Sequence, residues 1–352
     1  MNITKELIIN HYKQYPNLQI QDLFKFLYQS SFGCEHLVSS LEKAKNYIKE
    51  EYSSMDKSRI YDIEELDGNY SRVPLRYIDK GLSIETFAQL FYLSSKKEEN
   101  GFVLLENKLN VLLELVKDSL LPFSLDELET LINKWRENGF HAIHHSNEFR
   151  NSYHPSYRLI SNDFIKFLPL FIEIDKKALC NNLVIAIEGG SASGKTTLSS
   201  LIEKIYDCNI IHMDDFFLQP HQRTKERLEE IGGNIDRERF LQEVLIPLNN
   251  NENVKYRKFD CSSMSLGEYV NLNKKKLTII EGAYSMHKEF EKYYDFSVYL
   301  DISSSLQKER ILKRNTEFFA NRFFNEWIPL ENTYFKKTNI CSRCNMIIKI
   351  NK

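Results

Sequence analysis

The apolar run LVIAI (183–187) passes, through Glu188, into GGSASGKTT (189–197). The spacing Gly189-x4-Gly194-Lys195-Thr196 is the full phosphate-loop pattern, set between an expected strand and an expected helix over 197–206. Such a loop dictates its surroundings. Glycines let the backbone amides of Gly189, Gly190, Ser191, Ala192, Ser193 and Gly194 converge on phosphate oxygens at a helix N-terminus, where Thr197 continues the helix. Lys195 supplies a positive charge between β- and γ-phosphates, and the Thr196 hydroxyl suits a Mg²⁺ ion. The loop predicts a nucleotide, ATP, as ligand with Mg²⁺ as cofactor; by itself it does not specify the reaction.

The texture around the loop predicts an α/β domain over 176–352. Short apolar runs (LVIAIEG, NIIHMDD, VKYRKF, LTIIEG, FSVYLDI, NMIIKI) alternate with helical stretches. That alternation argues for a parallel sheet with helices on both faces. Residues 1–175 read differently. TKELIINHYKQY, LQIQDLFKFLYQSSF, IETFAQLFYLSS and SLDELETLINKWREN space their apolar residues by three and four, the helical period. A mainly α-helical N-terminal domain is expected, with one β element near RIYDIEELDGNYSRVPL. The domain boundary is expected at IDKKALCNN.

Composition excludes several classes. The 352 residues carry 47 basic and 49 acidic side chains, a net charge of −2, which gives no electrostatic case for nucleic acid or a membrane surface. No apolar run reaches the length of a membrane span, and the charged N-terminus does not read as a signal peptide. Six scattered cysteines are not a disulfide framework, and Cys341-x-x-Cys344 lacks a second pair to complete a zinc set. A reducing cytoplasm is the expected setting.

Two strand ends qualify the phosphate chemistry. IIHMDDFF (210–217) ends in Asp214 and Asp215, and in an open parallel sheet strand C-termini line the ligand crevice. Asp214 would face the γ-phosphate, as proton acceptor for an alcohol or as a metal ligand. Asp215 would point to the opposite side of an extended chain. Glu281, in LTIIEGAYS, ends a second buried strand, where a metal-bound water or substrate hydroxyl would satisfy its carboxylate. Arg310 and Arg314, four apart on one helix face, could clamp a transferring phosphate, with Arg322 following.

Taken in order, GGSASGKTT, HMDDFF, GGNIDRERF, YRKFDC and EGAYS resemble the uridine kinase-like P-loop kinases, a family that includes uridine/cytidine, nicotinamide riboside and pantothenate kinases and phosphoribulokinase. The resemblance spans about 183–350. It implies a catalytic carboxylate at Asp214, a grip on ribose hydroxyls by Asp236, the strand-end glutamate at Glu281, a lid around Arg310 and Arg314, and substrate contacts from Asp215, Arg223 and Tyr284. Metal ligation would fall to Thr196, Asp214 and Glu281. The expected activity is transfer of the ATP γ-phosphoryl to a hydroxyl, on a nucleoside or other ribosyl compound. FDCSSMSLGE lacks the histidine that helps uridine kinases read the base, and 1–175 has no counterpart in single-domain uridine kinases.

That leading half holds its own polar cluster. Glu35, His36, Asn69, Arg72, His141, His144, His145, Arg150, His154 and Arg158 admit either a ligand or metal pocket or a helical domain whose histidines cap and hydrogen-bond. Two other readings of the whole chain stay open: a nucleotide-binding regulatory protein with an effector-binding helical half, and a bifunctional enzyme with a second activity in 1–175. Self-association also stays open.

Overall fold

The computed structural model describes residues 3–34, 38–58, 61–95, 99–178 and 182–351. The chain divides into two compact units, Met1–Asp175 and Lys176–Lys352.

The first unit is mainly helical: α1 (Ile3–Gln14), α2 (Ile20–Phe32), α3 (Leu41–Ser54), α4 (Ile84–Ser94), α5 (Gly101–Lys117), α6 (Leu125–Glu137), α7 (Asn147–Tyr153), α8 (Asn162–Ile165) and α9 (Leu168–Ala178). Polar side chains start several of them. Ser40, Ser83, Ser124 and Ser146 each accept a first-turn N–H that the helix itself cannot satisfy. Leu23, Leu27, Phe87, Leu109, Leu112 and Phe171 fill the core. A small antiparallel sheet joins β1 (Glu64–Glu65), β2 (Tyr70–Pro74) and β3 (Tyr157–Ser161), so the β element expected near residue 65 acquires a third strand from far along the chain.

The second unit is built on a five-stranded parallel sheet. Its strands are β4 (Leu183–Gly189), β5 (Cys208–His212), β8 (Leu277–Glu281), β9 (Phe296–Ile302) and β10 (Met346–Ile350), in the order β10-β9-β4-β8-β5. Every residue of β4 and β8 is buried, which is why these strands are continuous apolar runs. The other two strands, β6 (Val254–Asp260) and β7 (Ser265–Leu272), pair with each other antiparallel. VKYRKF therefore does not join the parallel sheet as its apolar texture suggested. Lys255, Arg257 and Lys258 interrupt Val254, Tyr256 and Phe259, and that alternation suits a ribbon with one wet face. NMIIKI also differs from a fully buried strand. It is the sheet's edge, with Ile347 exposed and Ile348 and Ile350 inside.

The helices of this unit are α10 (Lys195–Ile205), α11 (Lys225–Glu229), α12 (Arg237–Phe240), α13 (Ile246–Asn249), α14 (Ser304–Arg314), α15 (Glu317–Arg322), α16 (Ile328–Thr338) and α17 (Ile340–Arg343). Wide π turns join α12 to α13 and α15 to α16. Among the described residues, no helix is long and apolar enough to cross a membrane. Val184, Ala186, Ile211, Phe216, Phe240 and Ile280 belong to one buried cluster within the unit. A chain beginning at Lys176 should therefore melt as one cooperative transition in differential scanning calorimetry. A broad, molten transition from that fragment would mean that it lacks a core of its own.

Candidate active site

The parallel register sets the site. Ile187 on β4 pairs with Glu281 on β8, and His212 on β5 pairs with the same Glu281. The three strands thus end side by side, with the phosphate loop leaving β4 just beyond. Gly194, N-cap of α10, has φ +97°, a left-handed conformation that a side chain would strain. Lys195 Nζ donates to the carbonyl oxygens of Gly189 and Gly190 at 2.7 and 3.0 Å. Thr196 Oγ1 donates to Glu281 Oε1 at 3.0 Å. The loop's outer turn is tied down as well. Glu331 on α16 accepts from Ser191 N and Oγ at 2.8 and 2.6 Å, while Gln307 Nε2 on α14 donates to Ser191 O at 2.9 Å.

Glu281 is buried, but it is not short of partners. The same Oε1 that receives Thr196 lies 2.7 Å from His212 Nδ1. This hydrogen bond raises the His212 pKa above its ordinary value, with burial opposing it. His212 was not among the residues singled out in the sequence; its only signal was its place at a strand C-terminus.

Asp214 does not continue β5 as an extended residue. Met213–Phe216 form a 3₁₀ turn, with about three residues per turn, so neighbouring side chains diverge by about 120° and do not alternate as in a strand. Asp214 is solvent-exposed, yet its pKa is raised, first by loss of surrounding water, with Glu281 and Asp215 adding to the effect and Lys195 and His212 opposing it. Asp215 is placed otherwise: its Oδ2 accepts from Tyr256 OH at 2.9 Å and its carbonyl from Arg239 Nη2 at 2.6 Å. The charges of Asp214 and Arg223 both reach Cys261, at the tip of the β6–β7 ribbon, so these groups rim one region. Arg223 Nε donates to Leu218 O at 3.0 Å.

The other expected site residues are placed at differing distances from the loop. Asp236 is the N-cap of α12: it accepts from Arg239 N at 3.1 Å and from Gln222 Nε2 at 2.9 Å. Tyr284 is buried against Tyr334, at a ring separation of 4.8 Å. Arg310 Nη1 donates to Ala192 O at 3.1 Å, inside the loop, whereas Arg314 is exposed over the Phe323 ring at 5.8 Å. Arg322 pairs with Glu326 at 2.9 Å on the surface.

A second carboxylate missed in the sequence underlies the whole arrangement. Glu188, fully buried at the end of β4, accepts from the N–H groups of Gly189, Tyr284 and Met286 at 3.0–3.1 Å and from Tyr334 OH at 3.3 Å. It joins the start of the phosphate loop to the turn after β8. Gly282 in that turn has φ +145°, and a Cβ there would lie 2.6 Å from Met213 Cβ, so the turn closes directly on the segment bearing Asp214.

In the first unit only some of the polar residues come together. Glu35 and His36 lie outside the described residues. His141 and His144 are exposed and offer backbone carbonyls to Trp135 and Gln21. His145 and Arg72 are buried in hydrogen-bonded networks. Among the described residues, no group of three or more His, Cys, Asp or Glu side chains is placed to hold a metal ion.

A family model described as phosphoribulokinase / uridine kinase family matches residues 184–318. A uridine kinase of Staphylococcus haemolyticus is 28% identical over 178 residues, covering 46% of this chain and 84% of that protein. A uridine kinase of Chlamydia pneumoniae is 30% identical over 142 residues, covering 38% and 62%. Among solved structures, a possible uridine kinase from Bacillus stearothermophilus aligns with 51% of this chain and 99% of its own, at 22% identity and a TM-score of 0.38. The family model and the curated uridine kinases support an ATP-dependent phosphotransferase. In its phosphate loop and the segment that matches, the C-terminal unit resembles the uridine kinase-like P-loop kinases.

Proposed function

We propose that this protein transfers the γ-phosphoryl group of ATP to a hydroxyl of a small molecule, a nucleoside or other ribosyl compound, with Asp214 as the proton acceptor. The observation that carries this reading is the placement of Asp214. It lies just past the C-terminal end of β5, within electrostatic reach of Lys195 and Glu281, with its pKa raised by loss of surrounding water. A nucleotide sensor needs the loop but has no use for such a carboxylate.

Geometry supports the remaining roles. The loop amides and Lys195 hold the phosphates, and Arg310, already against the loop backbone, adds positive charge there. Asp214 orients the acceptor hydroxyl and takes its proton as the oxygen attacks. Arg223 and Cys261 border the acceptor side. The oxygen donors Thr196, Glu281 and Asp214 fit a hard divalent cation. Two or three protein oxygens suit Mg²⁺, which keeps waters and phosphate oxygens for the rest of its shell. When bound, the ion neutralises phosphate charge.

ADP release measured over nucleosides, pyridine ribosides, pantothenate and sugar alcohols tests the reading; absence of acceptor-dependent ADP release across that range would overturn it. Lys195→Ala bears on the nucleotide separately. Loss of one charge-assisted contact costs about 1.5–3 kcal/mol, so ATP affinity by calorimetry should fall roughly 10- to 150-fold with the fold intact. Unchanged ATP binding would mean that the loop does not cradle phosphate.

A further inference from the structure

The first unit contains a charged network unrelated to phosphoryl transfer. Glu64 on β1 stands directly across from Arg72 on β2, and Arg72 Nη1 meets Glu64 Oε2 at 2.9 Å. Arg72 also donates to Gln29 Oε1 from Nε and Nη2, at 2.9 and 2.7 Å. His11 bonds the other Glu64 oxygen. Behind it, Asp22 receives His145 Nδ1 and Ser146 N, both at 2.9 Å, and Ser146 Oγ at 2.6 Å. Burial pushes the His145 pKa down to about 3, so its ring is neutral. Each buried acid in this network is already matched.

Two cations beside it are not. A groove of about 530 Å³, open to solvent, is lined by Lys25, Arg150, His145, His154, Glu51 and Asp56, among others. Glu51 is taken, with Arg158 Nη2 at 2.7 Å and Ser156 Oγ at 2.7 Å. Asp56 Oδ1 accepts from Ser58 N at 2.9 Å. Lys25 is half-buried and donates to a neutral acceptor, Ile143 O, at 3.1 Å. Among the described residues, no carboxylate lies within ion-pair distance of Lys25 or Arg150. Burial, and then the charges of Arg72 and Arg150, lower the Lys25 pKa to about 8. Two like charges held together in a partly dehydrated groove oppose folding. An anion bound between them would relieve that repulsion, and the groove has the size of a small-molecule site. His154 adds a ring at the rim, where it caps α7 with φ +43°.

We propose that this groove binds a small molecule through a compact anionic group, phosphate or carboxylate, held between Lys25 Nζ and the Arg150 guanidinium. The site is separate from the phosphate loop in residues, and the proposal does not depend on the kinase reading. The test uses the full chain carrying Lys195→Ala, to weaken phosphate capture by the loop. Isothermal calorimetry with inorganic phosphate and with malonate as probes is compared before and after adding Lys25→Gln and Arg150→Gln. At least one probe should bind, and at least tenfold more weakly once both charges are removed. Arg150→Gln alone, at an exposed position where folding is not at issue, should weaken binding several-fold. A phosphate response alone or a malonate response alone tells which anionic group is preferred, and either supports the site. Binding of neither probe, or binding unaffected by the charge removals, overturns the proposal.

Discussion

Asp214→Asn should lower turnover by about two to four powers of ten, the usual scale for loss of a positioned general base, while ATP affinity changes little. The substitution keeps size and one oxygen acceptor but removes the charge and the basic site. Because the Asp214 pKa is raised by dehydration and by Glu281, the acid limb of kcat/KM should fall above the ordinary aspartate range, and the variant should lose that limb. Asp215→Asn provides the contrast. Asp215 accepts one hydrogen bond from Tyr256, which an asparagine oxygen can still accept, so the loss should be far smaller. Steady-state ADP release, alongside ATP binding, decides. Equal losses in both variants would assign the base wrongly, and near-normal turnover in Asp214→Asn would remove the base mechanism.

The parts of this site that were legible in the sequence are those that a local pattern dictates. The phosphate loop is contiguous, and its glycines answer to backbone geometry that few other residues tolerate. Asp214 and Glu281 were visible because a carboxylate directly after a buried apolar strand must lie at the sheet's C-terminal edge. His212, Glu188 and Glu331 were not, because their partners are set by tertiary register. Ser191 and Glu331 lie 140 residues apart, and no spacing rule joins them. Glu188 stood in the sequence only as the residue between the apolar run 183–187 and the loop; its role as an acceptor appears only once the turn after β8 folds back on β4. The hairpin of β6 and β7 was misplaced for a related reason. A short apolar run marks a strand but does not name its neighbours, and the charged residues alternating through it were the better signal. In the first unit, Arg72 was noticed and Glu64 was not, although the Asp67-Gly68 turn between them brings the two strands into register.

Glu188 should govern the pH dependence of stability in the second unit. Burial is the largest influence on it and lifts its pKa to about 7 from 4.5, against three backbone N–H groups, Tyr334 and the charge of Lys195, which favour the ionised form. The folded state therefore holds this proton more tightly than the unfolded chain. Stability from the group is full below about pH 4.5 and is lost as pH rises through about 7. A shift of this size corresponds to about 3 kcal/mol. Glu188→Gln removes the titration. With its oxygen kept toward Gly189 and Tyr284, the new NH₂ group faces Met286 N–H, a donor against a donor, at a cost of roughly 1–3 kcal/mol. Other titrating groups contribute equally to both proteins, so the informative quantity is the difference between them. The chain has two tryptophans, and Trp135→Phe leaves Trp327, in the second unit, as its reporter. Denaturant unfolding followed by Trp327 fluorescence should show the protein with Glu188 losing about 3 kcal/mol relative to Glu188→Gln between pH 4.5 and 7.5. A difference that stays constant across that range would show that Glu188 is ionised throughout. Its N–H donors, and not its burial, would then set its charge.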